Sequence, residues 1–98
     1  MAFRDDYEFD ILKNEAENLV IEELGKQLEA YKGQICRCGT CVVDMAAMAL
    51  NAVKPLYRVS LLGTQYAAQA IYDAPYAASL RNSVSKAIEK VRKNPAHD

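Results

Sequence analysis

Residues 36–55 read CRCGTCVVDMAAMALNAVKP, and this stretch decides how the chain folds. It places three cysteines immediately before a long segment rich in alanine, valine and methionine. The apolar positions that follow the cysteines recur at helical intervals, so they predict a helix over residues 42–53. Lys54-Pro55 ends that helix, because the residue before a proline is pushed away from the helical region of backbone conformation.

The predicted helix over residues 42–53 is apolar on nearly its whole surface. One face carries Val42, Met45, Ala46, Ala49, Leu50 and Val53. Val43, Ala47 and Met48 make much of the remaining surface apolar as well. A helix of this kind is buried on more than one side. In a chain of 98 residues, burial on two sides predicts a homodimer whose core includes this helix.

The three cysteines have the spacing Cys36-x-Cys38-x-x-Cys41, which can bring three thiolates to one soft cation. Zinc (Zn²⁺) binds thiolates tetrahedrally at about 2.3 Å, so a fourth ligand is needed. His97 is the only histidine of the chain and is the candidate, with a water or a carboxylate as the alternative. Two interpretations without metal stay open for the cluster: reduced thiols, and a redox-sensitive Cys36–Cys41 disulfide.

The sequence holds no pattern that is typical of an enzyme. Zinc deaminases combine their cysteines with an H-x-E element that supplies the general acid and base, and this chain has none. It also contains no G-x-S-x-G, P-loop or G-x-G-x-x-G segment. We therefore interpret the metal as structural, since a core this small usually needs a metal or a partner subunit for stability.

Further helices are predicted on both sides of the cysteine segment. Residues 9–31 form an amphipathic helix in this interpretation, and Lys32-Gly33 stops it. Its apolar stripe consists of Phe9, Leu12, Ala16, Leu19, Val20, Leu24, Leu28 and Tyr31. Residues 57–61 alternate between polar and apolar side chains, which fits either a short strand or an extended link.

The C-terminal half is predicted to hold a short helix and a long one. Gly63-Thr64 precedes the short helix, whose apolar face carries Tyr66, Ala67, Ala70 and Ile71. Asp73-Ala74-Pro75 opens the last helix with a cap and an early proline, and Asn94-Pro95 ends it. Its apolar stripe consists of Tyr76, Leu80, Val84, Ala87, Ile88 and Val91. The prediction is one all-α domain over residues 1–98 with at most one short extended segment.

Composition excludes several classes of function. Twelve Lys and Arg residues against thirteen Asp and Glu residues give a net charge of -1, so binding of long nucleic acids is not expected. No apolar run approaches the roughly 18 residues of a membrane-spanning helix. The N-terminal segment MAFRDDYEFD is acidic, whereas a signal peptide begins with basic residues followed by apolar ones. These features predict a cytoplasmic protein without membrane insertion.

Residues 36–57 resemble the signature of the late competence protein ComFB family, C-x-C-x-x-C-x-x-D-…-A-L-N-x-L-x-P-x-Y. Residues 14–24 (NEAENLVIEEL) and 87–97 (AIEKVRKNPAH) are also similar to members of that family. There are two departures. Val53 stands where the family usually has leucine, and Ala96 stands where many relatives have arginine.

The resemblance implies a small, mostly helical, cytoplasmic homodimer that binds zinc through its cysteines. For many members it also implies binding of the bacterial second messenger cyclic di-GMP. A protein of this kind is a receptor or adaptor that acts on a downstream protein partner, and it is not an enzyme. The alternative implied function is a zinc-binding structural adaptor of competence or envelope machinery without a nucleotide ligand. A redox sensor that uses the three thiols is a third hypothesis.

The residues around the end of the predicted second helix suit a cyclic dinucleotide. Phosphates are recognised by Lys or Arg, and guanine rings by aromatic planes and hydrogen-bonding edges. The candidate ligand residues are Asn51, Lys54, Pro55, Tyr57 and Arg58. They lie where a buried helix breaks, which favours a pocket. Without the resemblance, the same segment is more typical of a packed turn with solvated cations.

Overall fold

Three α-helices form the core of the computed structural model, which describes residues 2–60, 62, 65 and 68–95. In chain order they are α1 (Ala16–Glu29), α2 (Gly39–Ala52) and α3 (Ala74–Lys93). Short 3-10 turns occupy Phe3–Asp6, Phe9–Ile11 and Gln69–Tyr72. Among the described helices, none is long and apolar enough to cross a membrane. The prediction of a small, mostly helical domain is therefore confirmed.

Two short antiparallel strands join the N-terminal segment to the segment after α2. β1 (Lys13–Asn14) pairs with β2 (Tyr57–Arg58), with Lys13 opposite Arg58 and Asn14 opposite Tyr57. The strand alternative for residues 57–61 is thus correct over Tyr57–Arg58. Its partner strand lies inside a region that the apolar spacing predicts as helix.

The prediction that the first helix begins at residue 9 is wrong, since α1 begins at Ala16. The Asn14 side-chain oxygen Oδ1 accepts hydrogen bonds from the backbone N–H groups of Ala16, at 3.1 Å, and Leu56, at 2.8 Å. Such side-chain bonds to backbone groups compete with the helical hydrogen-bond pattern. Phe9 and Leu12 consequently lie outside the helix and are 44% and 45% exposed, although the apolar stripe includes them.

The core lies between the three helices and follows the predicted stripes. Its buried side chains are Ala16, Val20, Leu24, Leu28, Ile35, Cys41, Met45, Ala49, Val53, Leu80, Val84, Ala87, Ile88 and Val91. No polar or charged side chain among the described residues is buried. The helices are therefore held together by apolar contacts, and the polar groups of the site lie at the edges of this core.

Helix ends agree with the local sequence signals. After α1 the backbone of Lys32 and Gly33 adopts positive φ angles of 49° and 82°, which only glycine adopts without strain. The carboxylate of Asp73 accepts a hydrogen bond from the backbone N–H of Tyr76, at 3.1 Å, and Pro75 lies in the first turn of α3. The predicted stop at Lys32-Gly33 and the predicted cap at Asp73 are both confirmed.

Helix α2 begins at Gly39, three residues before the predicted start, so the cysteine segment runs into its first turn. One face of α2 is buried through Cys41, Met45 and Ala49. The opposite side leaves Val43 68% exposed, and Ala47 and Met48 are exposed beside it. The chain by itself therefore leaves one apolar face of α2 uncovered.

Some of the predictions fall on residues that the structure does not describe. They are the cap at Gly63-Thr64, the short-helix residues Tyr66 and Ala67, and the tail residues Ala96 and His97. These positions lie outside the described residues. Ile71, which the sequence assigns to the short helix, lies in the 3-10 turn Gln69–Tyr72 and is exposed.

Candidate functional site

The three cysteines come together at the N-terminus of α2. The Sγ atoms of Cys36, Cys38 and Cys41 all lie within 4.8 Å of one another. Cys38 is the N-cap residue of α2, and Cys41 lies in its first turn with its side chain fully buried against the core. The cluster is therefore built on a rigid helix end that is anchored in the core.

The cluster lies at a helix start, where backbone N–H groups can donate to sulfur. The Cys38 Sγ accepts a hydrogen bond from the backbone N–H of Cys41 at 3.4 Å. Unsatisfied N–H groups and the positive end of the helix dipole stabilise thiolates at such a position. Backbone N–H groups that point at sulfur are also the usual outer contacts of a metal-bound thiolate.

The geometry of the cluster fits a tetrahedral zinc ion. Sulfur ligands at about 2.3 Å from zinc lie roughly 3.8 Å from one another. The Sγ atoms lie within 4.8 Å of one another, so small side-chain rotations would bring all three to the separation that zinc requires. Cys36, Cys38 and Cys41 would hold the metal, and it would supply a cross-link between the loop after α1 and the start of α2.

The fourth ligand does not come from a carboxylate of the described residues. Within residues 2–60, 62, 65 and 68–95, no carboxylate oxygen lies within 4.8 Å of all three sulfurs. A cavity of about 130 Å³ beside the cluster is lined by Cys36 and, from the end of α3, by Pro95.

The C-terminal turn of α3 is anchored next to this cavity by a polar cluster. Arg92, which also lines the cavity, donates two hydrogen bonds to the Glu89 carboxylate, at 2.8 and 3.0 Å. The Tyr31 hydroxyl donates a third, at 2.9 Å. The bonds from Arg92 and then Tyr31 lower the pKa of Glu89 to about 2, and the pKa of Tyr31 is raised by its bond to Glu89. The cluster ties α3 to the end of α1.

Arg58, a predicted phosphate ligand, makes a structural ion pair. Its Nε donates a hydrogen bond to Oε1 of Glu15, and both side chains are partly buried. The bond from Arg58, together with a weaker one from Asn18, lowers the pKa of the Glu15 carboxyl. Arg58 therefore closes the junction between β2 and α1, and its guanidinium is only partly available to a ligand.

Three other predicted ligand residues are exposed around the end of α2. Lys54 and Pro55 follow the helix, and Tyr57 in β2 is 63% exposed. The backbone carbonyl of Lys54 accepts a hydrogen bond from the Tyr76 hydroxyl, at 2.9 Å, while burial raises the pKa of Tyr76. The end of α2 is thereby fixed to the start of α3, with the Lys54 and Tyr57 side chains exposed.

Asn51 lies in a groove of about 560 Å³ between the end of α2 and the middle of α3. Its lining is composed of Met48, Asn51, Ala52, Ser79, Asn82, Ser83, Lys86, Ala87 and Lys90. None of these described lining residues is acidic. The groove therefore combines two cations, two side-chain amides and two hydroxyls, which suits an anionic ligand that also carries hydrogen-bonding edges.

The structure places the predicted ligand residue Asn51 in one groove with Lys86 and Lys90, which the sequence pattern did not assign to a site. Lysines near the end of a helix are favoured by the helix dipole, so their presence in the sequence does not by itself indicate a ligand. Their spacing of four residues puts them on one helical face, which is a signal. That face becomes a groove wall only because α3 packs against α2, and the local sequence does not show this.

Comparisons with known proteins agree with one another. The family model described as late competence development protein ComFB matches residues 13–95. The solved structure of the late competence protein ComFB from Bacillus subtilis is similar, with a TM-score of 0.65 and 26% identity. The alignment covers 87% of this chain and 92% of that one. Among the curated proteins nothing matches.

Proposed function

This chain belongs to the ComFB family, and from that premise we propose that it is a cyclic di-GMP receptor and adaptor with a structural zinc ion. The proposal combines what the resemblance implies with the chemistry of two places on the molecule. One is the cysteine cluster at the start of α2, and the other is the groove at the end of the same helix. The family is not a known family of enzymes, and no catalytic role is assigned to any residue.

The observation that carries the nucleotide proposal is the charge of the groove between α2 and α3. Lys86 and Lys90 line it without any acidic neighbour among the described lining residues. Its volume of about 560 Å³ falls in the range of small-molecule sites, about 300–1,000 Å³. By contrast, the groove of similar size between α1 and α3 carries Glu22 and Glu23 as well as Lys26 and Arg81, so its lining has no net positive charge.

In this proposal the two lysines contact phosphate and the amides contact guanine. The side chains of Asn51 and Asn82 offer both donors and acceptors, which can match the edge of a guanine base. Tyr57 supplies an exposed ring on which a base can stack, and Lys54 supplies a further cation. Arg58 has a smaller part, because Glu15 already accepts its hydrogen bond.

Calorimetry tests the nucleotide proposal directly. Cyclic di-GMP titrated into the protein at physiological salt should bind with a dissociation constant in the low micromolar range or below. It should also raise the midpoint of thermal unfolding, since a ligand of the folded state stabilises that state. GMP, with one base and one phosphate, is the control and should bind much more weakly. If hundreds of micromolar cyclic di-GMP produce no heat of binding and no thermal shift, the structural adaptor without a nucleotide ligand is favoured.

We also propose that the uncovered face of α2 forms a homodimer. Val43, Ala47 and Met48 present apolar surface on this face, and Met48 also lines the groove. A dimer through this face would place the partner subunit beside the nucleotide site. Cyclic di-GMP has two equivalent halves, so a site at the boundary of two subunits suits its symmetry.

Replacing Val43 with arginine should dissociate this dimer and leave a folded monomer. The substitution buries an unpaired charge in the interface, at a cost of about 3–5 kcal/mol, which raises the dissociation constant by two orders of magnitude or more. Sedimentation velocity at micromolar concentration measures the change in mass. Ile21→Arg, at a position 57% exposed on α1, is the control and should remain dimeric. Ala49 is unsuitable for this test, because it is 1% exposed in the protomer itself.

We propose His97 as the fourth zinc ligand, on the basis of Pro95 at the wall of the cavity that Cys36 also lines. His97→Ala should then weaken zinc binding by about 10-fold or more and leave the three-cysteine site partly loaded. Competition with a chromophoric chelator measures the affinity. Asp98→Ala is the matched tail control. Equal zinc affinities of the wild type and His97→Ala would assign the fourth position to water or to another group.

A further inference from the structure

Residues 3–12 form an apolar groove on the surface, which we call the N-terminal groove. Its volume is about 440 Å³, and Val59 lines it from the chain that follows β2. The N-terminal side contributes Phe3, Tyr7, Phe9, Ile11 and Leu12. None of these side chains belongs to the core, and Phe3 is 69% exposed. The chain thus keeps a cluster of large apolar side chains at its surface.

Three aromatic rings of the groove hold one another in place. The ring centroids of Phe3 and Tyr7 lie 5.0 Å apart, those of Phe3 and Phe9 6.0 Å, and those of Tyr7 and Phe9 6.1 Å. Tilted and edge-on pairs at such distances attract one another. The surface is therefore organised before any partner binds, which lowers the entropic cost of association.

The segment that forms the N-terminal groove is acidic, and we call its carboxylates Asp5, Asp6, Glu8 and Asp10 the acidic rim. Asp5 and Asp6 lie in the 3-10 turn that carries Phe3, and Asp10 lies in the turn that carries Phe9. Glu8 lines the groove itself, and Arg4 is the basic residue of this segment. Four carboxylates around aromatic rings favour a partner that is basic as well as apolar.

The same charge argues against two other occupants. A second copy of the chain that docks through the same surface would bring two acidic rims together, which is repulsive. The apolar face of α2, with Val43, Ala47 and Met48, is a different surface, and Asp44 is the one acidic residue of that helix. An anionic membrane would also be repelled by Asp5, Asp6, Glu8 and Asp10.

We propose that the N-terminal groove is the docking site for a cationic amphipathic helix of a partner protein. The apolar face of that helix packs on the rings of Phe3, Tyr7 and Phe9, and its Lys or Arg residues face the acidic rim. This is the helix-in-groove mode of recognition. The docking surface lies outside the nucleotide groove and the cysteine cluster, so the proposal does not depend on either of them.

Binding of a synthetic peptide to the full chain tests this site. The probe is a fluorescein-labelled amphipathic peptide of about five helical turns, with leucine and phenylalanine on one face and lysine on the other. Its twin carries glutamate in place of each lysine. Fluorescence anisotropy should show binding of the lysine peptide, weaker binding at high salt, and at least tenfold weaker binding of the glutamate peptide.

Two variants locate the contact on the protein. Phe3→Ser with Tyr7→Ser removes two rings, and Asp5→Lys with Asp6→Lys reverses the rim while keeping every ring. Each double variant should weaken binding of the lysine peptide at least tenfold. Neither should change the helical circular dichroism or the dimer mass, because all four side chains are exposed. Ile21→Ser, at an exposed apolar position on α1, is the control and should bind as the wild type does.

Three results would overturn the proposal. Equal binding of the lysine and glutamate peptides would show that charge does not select the partner. Unchanged binding in both double variants would place the contact elsewhere on the protein. Loss of the dimer in either double variant would assign the groove to a second copy of the chain.

Discussion

Cys41→Ser should lose zinc and lower the midpoint of thermal unfolding by about 20 °C. Cys41 contributes a sulfur to the cluster and is also fully buried in the core, so the two losses add. A metal present at a thousand times its dissociation constant stabilises a fold by about 4 kcal/mol. In a domain of about 100 residues, each kcal/mol corresponds to about 4–8 °C. Elemental analysis and differential scanning calorimetry of protein purified without chelators measure both effects.

A chelator separates the metal contribution from packing. In the wild type, a strong chelator should lower the unfolding midpoint toward that of Cys41→Ser, whereas the variant itself should not respond. Thr40→Ser, an exposed neighbour in the same helical turn, is the matched control and should keep both zinc and stability. Full zinc content in Cys41→Ser would remove this residue from the ligand set. An unaltered midpoint of the chelated wild type would contradict a stabilising metal.

Lys86→Ala combined with Lys90→Ala should weaken cyclic di-GMP binding by about a hundredfold or more. A hydrogen bond to a charged group contributes about 1.5–3 kcal/mol, and each tenfold change in affinity corresponds to about 1.4 kcal/mol. Both lysines are exposed, so their removal should leave the unfolding midpoint of the free protein unchanged. Isothermal titration calorimetry of the double variant against the wild type gives the ratio of the dissociation constants.

Two single variants define where the nucleotide lies. Lys93→Ala removes an exposed lysine at the end of α3 that does not line the groove, so binding should stay within about twofold of the wild type. Arg58→Ala breaks the ion pair with Glu15. It should destabilise the β1–β2 junction more than it lowers the affinity for cyclic di-GMP. A loss in Arg58→Ala as large as in the lysine double variant would move the ligand from the groove to β2.

Local patterns in the sequence are sufficient to predict most of the residues that form the core. The spacing of Val20, Leu24 and Leu28, and that of Leu80, Val84 and Ile88, identifies the faces that are buried. Helical periodicity records burial directly, since side chains three and four residues apart share one face. The cysteine cluster is likewise local, because six consecutive residues bring all three sulfurs within one helical turn of the α2 start.

The features that sequence reasoning misses depend on partners that are distant in the chain. The first helix begins after Asn14, whose side chain accepts a hydrogen bond from the backbone N–H of Leu56, 42 residues away. No local propensity encodes that bond. Lys86 and Lys90 line a groove only because α3 packs against α2, which carries Asn51. Phe9 and Leu12 fit the helical stripe in spacing, yet they belong to a surface outside the helix. In each case tertiary contact overrides the local pattern.

The Asn14 side chain has a consequence for the order in which the chain assembles. One oxygen atom joins the start of α1 to the segment after α2, so its bond from Leu56 forms only after α1 and α2 have packed and a long loop has closed. The N-terminal groove is therefore a late-folding and early-opening unit on a more persistent helical core. We expect its amide protons to exchange with solvent through local opening, and those of α3 to exchange only on global unfolding. The N-terminal groove can thus open and close again while the helical core stays folded.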